Sequence, residues 1–145
     1  MKAILPLLST VLALVAAPAV AEDWHKFSSS ESRAYLADVD SITVDGNVTA
    51  IRVAIVSRTA AAGDYHHVVD QFNFRCDANQ MRTVMSNDYD ETGNLTDSYP
   101  EPDAEWEAVV ARSYPSVVKS VACDGARSSE GSWPSIVAFV DGGRL

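Results

Sequence analysis

The feature that most restricts this chain is the alternation of side chains in its middle third. From Val48 to Ser57, Ile51, Val53 and Ile55 fall on one side, and Ala50, Arg52 and Ala54 on the other. A period of two marks a half-buried strand. Tyr65–Cys76 repeats the pattern, with Val68, Phe72, Phe74 and Cys76 sharing a face that only Asp70 interrupts. Gln80–Tyr89 reads as a third long strand with Met81, Met85 and Tyr89 on one side. Asp45-Gly46-Asn47, Asp77-Ala78-Asn79 and Glu91-Thr92-Gly93-Asn94 separate these runs and carry the Gly, Asn and Asp that tight turns need. Shorter strands are expected at Trp24–Phe27, Arg33–Ala37 and Leu95–Tyr99, with a polar loop at Ser28–Ser32 and a turn at Asp38–Ile42.

The pattern changes after Pro100-Glu101-Pro102-Asp103. Trp106 and Val109-Val110 are expected to pack over the sheet. Pro115 suits a first helical turn, Val117, Val118, Val121 and Ala122 recur at helical spacing, and Asp124-Gly125 ends the helix. Strands followed by a helix predict an α+β fold: an antiparallel meander of about six strands with a C-terminal helix packed on one face. The expected divisions are a signal peptide at 1–21, the α+β domain at 22–125, and a tail at 126–145 that reads equally as a short helix or an extended segment.

The first residues have the three parts of a secretory signal: Lys2, an apolar run from Ala3 to Val15, and Ala19-Val20-Ala21 before Glu22. Pro6, Pro18 and the lack of a stop-transfer cluster argue against a membrane anchor, and no cysteine stands at the cleavage point to carry lipid. The expected location is therefore the periplasm, the cell surface or the medium. In such a compartment the two cysteines, Cys76 and Cys123, are expected to form a disulfide. They lack the close spacing of a redox pair or a zinc site. Without Lys2 the chain has 10 basic residues against 20 acidic ones, which disfavours nucleic acid and other polyanions as partners.

The residues that could carry chemistry read mostly as structure. His66 and His67 are adjacent on a strand and point to opposite faces, so they cannot share a metal ion without a bulge. Asp88-x-Asp90-x-Thr92-Gly93-Asn94 resembles the start of a calcium loop, but the closing Glu is replaced by Tyr99. It is read as an acidic turn. No nucleophile or phosphate-loop motif is present, so no catalytic residue, metal or cofactor is assigned. Trp24, Trp106 and Trp133 are assigned to the core.

Together the early Trp24, the segment Tyr35–Ile42, the strand after Asp45-Gly46, Phe74-Arg75-Cys76, Tyr89-Asp90-x-x-Gly93, Trp106, Ser113 and a helix ending in Cys123 resemble the surface-adhesin protein E family of bacterial envelope proteins. The resemblance spans roughly Trp24 to Asp124. It implies a six-stranded antiparallel sheet with a helix joined to it by a disulfide, and some family members bind host matrix proteins. The chain departs from that pattern in lacking a lipid-anchor cysteine and an obvious basic patch. The leading expectation is a non-catalytic binding module for an unidentified protein or small ligand, using a strand edge or the surface around Tyr65, His67 and Val69. The alternatives are a small periplasmic enzyme or inhibitor, and a weak calcium or ligand carrier built on Asp88–Asn94.

Overall fold

A computed structural model describes residues 22–145. The signal peptide expected at 1–21 lies outside the described residues. The strands are β1 (Trp24–Ser29), β2 (Arg33–Asp45), β3 (Val48–Ser57), β4 (His67–Arg75), β5 (Gln80–Tyr89), β6 (Leu95–Pro100) and β7 (Glu107–Ala108); the helices are α1 (Tyr114–Asp124) and α2 (Ile136–Asp141). Strands β1 to β6 form an antiparallel meander in sequence order. The short β7 lies in line with β6 along the same side of β5, pairing Ala108 with Gln80 and Glu107 with Met81. The α+β meander with a helix on one face is thus observed, and a second helix lies on the other face.

Each helix covers only part of its face. Under α1, Ala37, Ile51, Val53, Phe72, Phe74 and Met81 pack against Val118 and Val121. On the opposite face, Trp24, Ala34, Leu36, Ala54, Val56 and Val69 pack against Ile136, Phe139 and Val140 of α2. On β3 the first set lies towards Val48 and the second towards Ser57, so the two cores are offset along the strands. The end of β3 nearest Val48 is left without a helix on the α2 face, as is the end nearest Ser57 on the α1 face.

Helix α1 is bounded as its sequence dictates. Ser113 caps it by accepting from Ser116 N, Pro115 sits in its first turn, and Gly125 closes it at φ 72°. Cys76, just past β4, is bonded to Cys123 with Cα atoms 5.8 Å apart, so the bridge ties the last turn of α1 to the end of a central strand. The chain after α1 returns to the first strand: Trp24 and Trp133 exchange backbone hydrogen bonds of 2.9 and 3.0 Å. Beyond α2, buried Arg144 donates to the carbonyls of Ala60, Ala61 and Asp64 and holds the β3–β4 connection.

Several local expectations are corrected. Asp38–Ile42 is no turn: β2 continues to Asp45, and Val39–Ile42 bulge out between the Asp38–Arg52 and Thr43–Ala50 pairs. Ser41 Oγ fills the gap, accepting from Arg52 N and donating to the Asp38 carbonyl. Met81, Met85 and Tyr89 do not share a face. A bulge at Val84 reverses the phase, so Met81 packs under α1 while Tyr89 packs against the α2 core. Val109 is buried, but Val110 is 68% exposed.

Asp70 accepts a 2.7 Å hydrogen bond from its cross-strand partner Ser86, which explains a carboxylate on that face. Nearby, burial pushes the Tyr114 pKa up, and its hydroxyl has no partner among the described residues. Removing an unsatisfied buried hydroxyl relieves a desolvation cost. Tyr114→Phe is therefore expected to raise unfolding stability by about 1 kcal/mol, read as a higher urea midpoint at unchanged slope.

Candidate functional site

On β4 the residues between the α1-facing Phe72 and Phe74 are polar: Gln71, Asn73 and Arg75 project to the opposite face. Asn73 pairs across the sheet with Ala50 on β3 and Arg82 on β5. Trp106, just before β7, completes this row. Its backbone is set by β7 and by Asn79, which exchanges hydrogen bonds with Val109 through its carbonyl (2.9 Å) and side-chain amide (3.0 Å). The guanidinium carbons of Arg75 and Arg82 lie 4.1 and 4.6 Å from the Trp106 ring centroid. These are close cation–π distances.

Among the described residues this cluster gathers the most buried polar atoms without a partner. Arg75 Nε, Arg82 Nε and Asn73 Oδ1 are buried without partners among the described residues. Among the described residues the side-chain bonds of the two arginines are long: Arg75 Nη1 to Gln80 Oε1 at 3.5 Å and Arg82 Nη1 to the Ala104 carbonyl at 3.4 Å. Arg52, further along the same face, is instead paired with both Asp38 and Glu22. A cleft of about 390 Å³ lined by Asp40, Ser41, Thr43, Arg52 and Gln71 opens beside the row. A second cleft of about 440 Å³ lies between β1 and α1. Its cations are already engaged: Lys26 with Glu130 at 2.6 Å, and Arg127 with the Val121 and Ala126 carbonyls. The uncovered part of the α2 face is therefore the better candidate surface.

The surface expected around Tyr65, His67 and Val69 is not free. Helix α2 covers it: His67 and Val69 are 6% and 5% exposed, and Tyr65 Oη donates to Asp141 at 3.0 Å. The strand edge remains open, since every residue of β6 is exposed. His66 and His67 do lie on opposite sides, with His66 exposed and His67 stacked on Tyr89 at a centroid distance of 4.4 Å. His67 Nδ1 lies 2.6 Å from the Tyr65 carbonyl and donates to it.

Burial is the largest influence on His67 and pushes its pKa below 6.5; the Tyr65 carbonyl and Glu22 oppose this, and His66 adds to it. With a depressed folded pKa, the stability from neutral His67 is present above the unfolded value. It is lost as pH falls from there through the folded pKa, because the unfolded chain takes up the proton first. A fall in urea midpoint from pH 7.5 to 5.5 is expected, and a smaller fall in His67→Phe.

In the acidic turn, Asp90 Oδ1 accepts from Thr92 N, Thr92 Oγ1 and Asn94 N. These bonds hold its carboxyl below the usual range. No group of three or more His, Cys, Asp or Glu among the described residues is arranged to hold a metal ion.

Trp24 lies in the α2-side core and Trp133 packs against it, as expected. Trp106 belongs to neither core cluster. Its role escaped the sequence reading because Arg75 and Arg82 meet it only through the β4–β5 register and a strand of two residues. The available signal was that Arg75 and Arg82 are out of phase with Phe74 and Met81.

A family model described as surface-adhesin protein E matches residues 24–124. No curated protein and no solved structure gives a significant match.

Proposed function

Because this chain belongs to the surface-adhesin protein E family, we propose that it is an exported, non-catalytic binding module of the bacterial cell envelope or surface. The observation that supports a binding role is the uncovered part of the α2 face, where Arg75, Arg82 and Trp106 stand together with polar atoms that have no partner among the described residues. Among the described residues no helix is long and apolar enough to cross a membrane. Export is supported by the signal pattern before Glu22, and the protein recovered outside the cytoplasm is expected to begin at that residue.

Affinity capture tests the reading. The oxidised protein is immobilised, exposed to envelope extract and to purified host matrix proteins, and washed at physiological salt. Saturable retention of one partner, competed by soluble protein, is the expected outcome. Retention of nothing from either source, or a turnover abolished by replacing a specific acid or histidine, would overturn the non-catalytic binding role.

A further inference from the structure

We propose that Arg75 and Arg82, held over Trp106, form a receptor for carboxylate groups on an acidic segment of a partner protein laid across the bare part of the α2 face. The inference rests on the binding-module reading and adds the chemistry of what is bound.

The protein supplies its own comparison. Arg52 projects from the same face and has two carboxylates, Asp38 and Glu22. Arg75 and Arg82 have no carboxylate within ion-pair distance among the described residues, although acids outnumber bases 20 to 11 in the chain. Two guanidiniums gathered over one indole repel each other, and the ring offsets that only partly. Among the described residues neither arginine finds an Nη2 partner, and the orphaned buried atoms of both are their Nε, not their Nη2. The Nη2 edges therefore remain open to a ligand. A stacked guanidinium is already oriented, so its planar fork can engage a carboxylate with little further loss of freedom. Gln71 and Asn73 alongside provide amide donors and acceptors for the backbone of an extended segment.

Charge selects the kind of anion. The formal charge of −9 repels dense polyanions. A segment with one or two carboxylates senses chiefly the groups within a Debye length, about 8 Å at physiological ionic strength. The opposite sheet face shows the contrast, with Asp88 and Asp97 paired across β5 and β6 in its uncovered part.

The test is an NMR titration of the oxidised full chain with a Gly-Ser peptide carrying paired glutamates. The same peptide with glutamines, and inorganic phosphate, serve as controls. Saturable shifts confined to the Trp106 indole N–H and the Arg75 and Arg82 Nε–H signals, absent with the glutamine peptide, are expected. Arg75→Gln/Arg82→Gln should weaken binding by about tenfold or more, whereas Arg112→Gln should not change it. Equal shifts from phosphate would reassign the pair to simple anions. Shifts that appear on concentrating the protein alone would reassign it to a second copy. No shift at these signals would leave the stack as a device that pins β7. Each of these results overturns the proposal. A partner captured equally well by the double Gln variant would also overturn it while leaving the binding module intact; a wild-type protein that captures nothing removes the module itself.

Discussion

Replacing both Cys76 and Cys123 with serine is expected to lower the melting temperature by roughly 15 °C. The bridge closes a loop with a sequence separation of 47, spanning β5, β6, β7 and most of α1. In the chain-entropy account a closure of that length contributes about 4 kcal/mol, and a domain of this size shifts by a few degrees per kcal/mol. The double replacement is preferable to a single one, which leaves a reactive thiol. The effect should also have a direction in space. Without the bridge, α1 is held by the packing of Tyr114, Val118 and Val121 against the sheet. Amide exchange in α1 should then accelerate more than in β3 or β4, because local opening no longer has to strain a covalent link. Equal acceleration in helix and strands, or an unchanged melting temperature, would show that α1 is secured by packing alone.

Arg52→Met is expected to cost about 3–5 kcal/mol, far more than a half-exposed arginine normally would. The reason lies underneath it. Asp38 is fully buried, with one oxygen accepting from Asp23 N at 3.1 Å and the other from Arg52 Nη2. Glu22, the other carboxylate on Arg52, is 3.3 Å away. Removing the cation leaves a buried carboxylate facing a second one, whereas removing both members of the pair does not. Asp38→Asn/Arg52→Met should therefore recover more than half of the loss. A double-mutant cycle by urea unfolding measures the coupling. A single Arg52→Met variant within about 1 kcal/mol of the parent would mean that water satisfies Asp38, and the ion pair would lose its role.

The same residue shows where sequence reasoning succeeded and where it stopped. The alternation in β3 is regular over ten residues, and its two faces could be read directly. The cap residues of α1 and the cysteine pair were equally legible, because each acts within one or two turns of chain or through compartment and count. Asp38-Val39-Asp40-Ser41 has the composition of a turn and by itself predicts one. Only the ladder with β3 on both sides of the bulge shows that the strand continues. Met85 and Tyr89 were misplaced for a related reason: one extra residue, Val84, reverses every later side chain, and no residue type announces it. Helix α2 spans six residues, too short to display a helical period, yet it covers the surface that the sequence favoured for binding. The Arg75–Arg82–Trp106 group depends on cross-strand register, which is a property of pairing and not of any one segment.

The offset of the helices on the two faces also bears on cooperativity. Val53 and Ala54 are neighbours in the chain, both 0% exposed, and they project into different cores. Strand β3 is thus a partition shared by two packed compartments. Loosening one compartment disturbs the wall of the other, so the stabilities of the two are coupled through β3. Two separate apolar clusters are in this way linked through one strand, which favours cooperative unfolding of the sheet.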